Sequence, residues 1–143
     1  MEFGPLANWT PHDQYTISPY AAEQFPASFE TPTCRVKAVT VERTFWEKAT
    51  ILHQEANRPA EKPMPPRYSR HYYDVFRMTK LGFHEAAIGQ ISLLDQVVVF
   101  KERFYRTPWA RLREAVPGTF KLVPPPERVA VLEKRRITAK CRL

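Results

Sequence analysis

The chain has 143 residues, of which 43% are hydrophobic and 13% aromatic, enough apolar material for one modest core and too much for disorder throughout. Lys and Arg outnumber Asp and Glu by 22 to 15, a net of +7, which favours polyanions such as RNA, DNA or nucleotides without fixing any of them. No run approaches the roughly 18 apolar residues of a membrane span, and the first residues lack the basic and apolar regions of a signal peptide. No membrane partner is therefore expected, and the expected compartment is the cytoplasm.

Residues 1–33 carry Pro5, Pro11, Pro19, Pro26 and Pro32, a spacing that breaks regular structure and predicts an extended segment with at most a short helix at residues 19–25. Residues 35–39 alternate polar and apolar at their start, as a short strand does. A helix is predicted from Val41 to Ala56, with Thr40 as N-cap and Phe45, Ala49 and Leu52 on one stripe that Trp46 and Ile51 widen. Pro59, Pro63, Pro65 and Pro66 make residues 58–66 a loop. Helical spacing returns over residues 68–80 through Tyr72, Val75, Phe76 and Thr79, with Tyr72, Phe76 and Thr79 expected in the core and Gly82 as the stop. Residues 83–105 hold one or two more helices, with Gly89 or Ser92 at the break and Leu94, Val97, Val98 and Lys101 on the second. Pro108 opens a short helix running to Ala115, Pro117 and Gly118 end it, and residues 120–123 are extended. After the stiff run of residues 124–126, a last amphipathic helix is predicted from Glu127, with Val129, Leu132 and Arg136 on one face. The fold class expected is α+β, predominantly α, with residues 1–40 as a Pro- and aromatic-rich segment bearing a strand and residues 41–143 as a helical domain.

Several active sites are excluded. The four glycines, Gly4, Gly82, Gly89 and Gly118, stand apart, so no local Gly-rich phosphate loop exists. No two carboxylates are spaced i, i+2, the usual local arrangement on a strand for holding catalytic magnesium. Cys34 and Cys141 are far apart and describe neither a disulfide framework nor a zinc site.

Two helices carry the polar groups of interest. Lys48 is flanked on its own helix face by Phe45, Ile51 and Leu52, so its ammonium either snorkels to water or meets an anion. On the next helix Arg67, Arg70, His71 and Asp74 fall at i, i+3, i+4 and i+7 and share a face. Two readings stand side by side. The face is either solvated, with an Arg70–Asp74 helical pair, or a phosphate-binding surface on which arginines fork phosphates and Asp74 orients Lys48 or an arginine.

The run from Arg43 to Lys48, Arg-Thr-Phe-Trp-Glu-Lys, and the run from Arg67 to Asp74, Arg-Tyr-Ser-Arg-His-Tyr-Tyr-Asp, closely resemble the C-terminal half of AbiEii/AbiGii-type nucleotidyltransferase toxins. Residues 2–4, 22–26, 109–110 and 117–119 are similar to that family as well, so the resemblance spans nearly the whole chain. It implies a bacterial toxin held by a cognate antitoxin, with a small mixed sheet joined to a helical C-terminal region, transferring a nucleotide from a nucleoside triphosphate (NTP) to RNA, notably to tRNA ends. It also implies Mg2+ as cofactor. By motif, the family's helix lysine and later helix aspartate map to Lys48 and Asp74 as catalytic residues, and the phosphate-binding positions to Arg70 and His71, with Arg67 as a further match. Glu2 is the one position that could correspond to a metal-binding carboxylate.

The family's Gly-Ser segment and Asp-x-Asp pair would lie upstream of Met1, and the run from Lys134 to Leu143 lacks the apolar and aromatic ending of the family. The expectation is thus a toxin portion inactive by itself, to which neither NTP nor Mg2+ binds tightly. The alternative is a non-catalytic basic helical module that binds tRNA or the antitoxin.

Overall fold

The computed structural model describes residues 10–129 together with Leu132. The chain divides into two compact units, Met1–Thr40 and Val41–Leu143.

The first unit is built on a two-stranded antiparallel sheet of β1 (His12–Ile17) and β2 (Cys34–Val39), in register from His12 opposite Val39 to Ile17 opposite Cys34. Strand β2 lies where the alternation of residues 35–39 placed it, whereas β1 falls in the segment read as irregular. Pro11 and Pro19 flank β1 rather than interrupt it, so no ladder donor is lost within the strand. A helical turn, α1 (Tyr20–Gln24), and a 3-10 turn (Pro26–Ser28) fill the connection. Pro19 is extended at its start and Pro26 follows its last residues, which limits α1 to five residues. Ser18 Oγ donates to the Pro32 carbonyl at 3.1 Å and closes the base of the excursion.

The second unit is helical. Its centre is α2 (Val41–Ala56), against which α3 (Ser69–Lys80), α4 (Phe83–Gly89) and α5 (Ile91–Phe104) pack. The stripe Phe45, Ala49 and Leu52, widened by Trp46, meets Val75 of α3, Ala87 of α4 and Leu93, Leu94 and Val97 of α5 in one core. Each such large apolar side chain contributes about 1.5–3 kcal/mol when fully buried. Trp46 also donates its indole N–H to the Ala87 carbonyl at 3.0 Å, which satisfies the polar end of a buried ring. Gly82 takes a left-handed φ of +80° between α3 and α4, the conformation that lets one helix stop and the next start within three residues. The break between α4 and α5 comes at Gly89 and Gln90.

The structure corrects three expectations. Phe76, placed in the core by its spacing, is 56% exposed, and Thr79 is exposed as well. Helix α3 turns His71 and Val75 inward instead, with Tyr72 and Met78 half-buried beside them. The helix predicted from Pro108 to Ala115 is two 3-10 turns, Pro108–Ala110 and Leu112–Glu114, because Arg111 between them adopts a left-handed conformation (φ 49°) that no α-helix passes through. Residues 126–129 are helical, as the last amphipathic pattern predicts, while Arg136 lies outside the described residues. The fold is α+β and predominantly α.

Candidate functional site

Helices α2 and α3 bring the two motif residues together. Lys48 Nζ lies 3.2 Å from Asp74 Oδ2, with about a quarter of the lysine side chain and a third of the aspartate side chain open to solvent. Lys48 sits on the flank of α2 beside the buried Ala49, and Asp74 precedes the buried Val75 on α3, so core packing sets the spacing of the pair. Of the two fates open to Lys48, snorkelling or meeting an anion, the structure shows the second, with Asp74 as the anion.

His71 completes the cluster. It is 5% exposed and directed at Lys48, whose Nζ is 3.4 Å from its Nδ1. An ammonium can only donate, so Nδ1 is the acceptor and the ring proton resides on Nε2. Desolvation pushes the His71 pKa down from 6.5 to about 4, and the neighbouring charges of Lys48 and Arg70 push the same way. The imidazole is therefore neutral at ordinary pH, and Tyr68 covers it edge-on with ring centroids 5.1 Å apart. Arg67 and Arg70 are exposed on the outer side. The four residues expected on one helix face thus divide: Arg67 lies before α3 with a left-handed φ of 68° and does not share its face, Arg70 looks to solvent, Asp74 stands at the margin, and His71 points inward against the lysine.

Two further cations lie beside this cluster, and sequence reasoning gave neither a role. Arg43 is fully buried and pairs through Nε with Glu47 at 3.1 Å, one turn before Lys48. Lys101 of α5 donates from Nζ to the Glu47 carbonyl at 3.0 Å and to Thr50 Oγ1 at 2.8 Å, and burial lowers its pKa to about 8. The signal for Lys101 was its position: a lysine at i+4 from Val97 and i+7 from Leu94 occupies a core position of an amphipathic helix.

The chemistry of this donor set fits an anion. Lys48 meets Asp74 at a half-open margin with the exposed Arg70 nearby, Lys101 lies buried behind Lys48 against α2, and the next carboxylate, Glu47, is held by Arg43. Magnesium, which the resemblance implies, requires several oxygen ligands. A lone carboxylate paired to a lysine does not fit it, and among the described residues no group of three His, Cys, Asp or Glu could hold a metal ion. Glu2 lies outside the described residues. A surface groove of about 650 Å3 runs instead beside α5 and the 3-10 turns, lined by residues such as Glu102, Arg106, Arg111 and Glu114, and includes neither Lys48 nor Asp74.

At the far end of α2 the polar groups close on one another. His53, with no exposed surface, accepts from the Lys121 backbone N–H at Nδ1 (3.0 Å), which leaves Nε2 to donate to the Arg111 carbonyl (3.0 Å). Glu55 receives two hydrogen bonds from Arg58, at 2.7 and 2.6 Å, and the guanidinium lies 4.5 Å above the Trp109 ring. Arg128 donates to the carbonyls of Pro59, Ala60 and Lys62 and fixes the proline loop. These are structural arginines, and they account for part of the basic excess without any ligand.

No curated protein and no solved structure matches this chain. No helix among the described residues is long and apolar enough to cross a membrane. A family model described as the nucleotidyl transferase AbiEii toxin of the type IV toxin–antitoxin system matches residues 1–136 of the 143, which takes in both motif helices with Lys48 and Asp74 in contact. The chain belongs to the AbiEii nucleotidyltransferase toxin family.

Proposed function

We propose that this chain supplies the phosphate-side part of a nucleotidyltransferase active site, with Lys48 as the cation that meets the triphosphate and Asp74 and His71 as the groups that hold it in place. The observation that carries this reading is the half-open Lys48–Asp74 pair at 3.2 Å. A pair this exposed contributes about 1 kcal/mol or less, so a polyanion can draw the ammonium away from Asp74 at small cost. In nucleotide transfer an acceptor oxygen attacks the α-phosphorus, the bond to the β-phosphate oxygen breaks, and pyrophosphate leaves. A fixed ammonium offsets the charge on the departing phosphates, and in this class of reaction the protein acts mainly by positioning and electrostatics. His71, neutral and buried, serves Lys48 as an acceptor rather than the phosphates as a donor.

Membership of the family implies use of an NTP and a metal, and a toxin–antitoxin family suggests an antitoxin partner. The acceptor we propose is RNA, a tRNA end. The 143 residues contain no carboxylate pair spaced i, i+2, so a polypeptide of these residues alone is expected not to complete the transfer. Incubation with labelled nucleoside triphosphates, magnesium and bulk tRNA tests this, and robust incorporation of label would refute it.

The outer face of α3 favours a second reading, that of a binding module. Tyr73 and Phe76 are 62% and 56% exposed among Arg70, Arg77 and Lys80, and Lys80 Nζ lies 5.7 Å from the Phe76 ring. Aromatic rings among cations are what single-stranded nucleic acid stacks upon. On this reading tRNA binding weakens steeply with salt and with Arg67→Ala and Arg70→Ala. A salt-insensitive interaction, with both variants silent, counts against it.

A further inference from the structure

Helix α5 buries Leu93, Leu94 and Val97, and the next inward position is Lys101. A leucine or methionine would fill that place in a helix serving only to pack. Its ammonium reaches two acceptors, the Glu47 carbonyl and Thr50 Oγ1, and both are neutral. Among the described residues Lys101 makes no ion pair, whereas Arg43, Lys48 and Arg58 each have a carboxylate. A desolvated ammonium without a carboxylate is costly, and replacing such a charge by apolar atoms is often neutral or stabilising. Lys101 is therefore hard to explain as a packing residue.

Its position explains more. Glu47 precedes Lys48 and Thr50 follows it by two, so the two hydrogen bonds bracket the residue at the centre of the site. The Thr50 hydroxyl, having accepted from Lys101, offers its own hydrogen to the Trp46 carbonyl (2.8 Å) or the Glu47 carbonyl (3.0 Å), which ties the turn together. The charge of Lys101 is felt at Lys48 and at His71 and is opposed by Glu47, while Arg43 adds to the positive side. We propose that Lys101 is a positioning residue of the phosphate site: it clamps the α2 turn that carries Lys48 and places a second positive charge behind it, matched to a triphosphate. This rests on the phosphate-side reading of Lys48 and deepens it.

The test titrates inorganic triphosphate into the full chain, into Lys48→Ala and into Lys101→Met, with the thermal midpoint of each measured in parallel. The expected result is a tenfold or greater loss of affinity in both variants, with the Lys101→Met midpoint unchanged or raised. Lys101→Met binding within twofold of the unaltered chain, while Lys48→Ala binding is lost, overturns the role of Lys101 alone. No binding by the unaltered chain overturns the phosphate-side reading and this inference with it. A second measurement needs no variant. In the chain labelled with 13C at lysine Cε, the titration of Lys101 near pH 8 shifts upward by at least half a unit when triphosphate is bound, and an unmoved titration overturns the proposal.

Discussion

Helix α2 carries buried or half-buried charge in both halves, and the two are finished differently. Toward its C-terminus, Glu55 has two hydrogen bonds from Arg58, both ring nitrogens of His53 have hydrogen-bond partners, and Arg58 is stacked on Trp109. In its N-terminal half, Lys48 shares one exposed-margin carboxylate, its second neighbour is a neutral imidazole, and a second lysine lies behind it with no ion pair among the described residues. The first arrangement leaves nothing for a ligand to satisfy. The second carries a positive surplus beside solvent, and the phosphate-side reading we propose rests on that difference between two clusters on one helix.

Arg58→Ala tests the closed end hardest. With the side chains of Arg58 and Glu55 only 10% and 1% exposed, removal of the guanidinium strands a buried carboxylate and costs about 3–5 kcal/mol, read as a fall in the urea midpoint. Triphosphate affinity of the folded fraction should be unchanged. A loss of binding that equals the loss at Lys48 would erase the distinction between the two halves.

Acid reaches both halves. His71 titrates near 4 in the folded chain against 6.5 when unfolded, and His53 is lowered too by its burial. Between those values the unfolded chain binds more protons, so stability is intact above about pH 6.5 and falls as pH drops toward 4. The His71 contribution approaches about 3 kcal/mol below that range. Denaturant midpoints measured from pH 7 to pH 4 in the unaltered chain and in His71→Asn should separate its share, the variant keeping only the slope due to the remaining groups. Equal slopes would mean that His71 is not held neutral beside Lys48.

How much of this could be read from residues alone differs along the chain. Helix α2 was legible from Val41 to Ala56, because Phe45, Ala49 and Leu52 repeat at the helical period and the proline loop sets its end. Strand β1 was not, because its evidence is its pairing with β2, a contact distant in sequence. The pairing of Lys48 with Asp74 was anticipated as one option among several, since spacing places residues on faces but does not say which faces meet. The inward face of α3 was misjudged by about one position, and the reason is chemical. His71 lies inside as an acceptor for Lys48, and Phe76 is left outside, against the order that hydrophobicity predicts. Glu55 and Arg58 drew no notice, because a pair at i, i+3 resembles any surface pair until its burial is known.

Lys48→Ala should have a small effect on stability and a large one on binding. A pair this open contributes about 1 kcal/mol or less, so the urea midpoint moves little, while affinity for triphosphate falls at least tenfold. The ratio of the two effects, set against that of Arg58→Ala, is the sharpest form of the comparison between the halves. A midpoint lowered as far as in Arg58→Ala would make Lys48 a structural cation.

The smallest effect expected lies at the closed end and has the opposite sign. Arg111 offers its carbonyl to His53 from a left-handed conformation, which costs a non-glycine residue about 1–2 kcal/mol. Its side chain gives little in return, since it is exposed and its nearest carboxylate, on Glu114, is 3.8 Å away. Arg111→Gly removes the strain and keeps the carbonyl, but glycine loses about 0.5–1 kcal/mol more in backbone entropy on folding. The net is a gain of about 0.5–1 kcal/mol, read as a raised thermal midpoint with triphosphate affinity unchanged. A lowered midpoint would show that the arginine side chain holds this turn, and the closed end would then depend on a surface charge as the open half does.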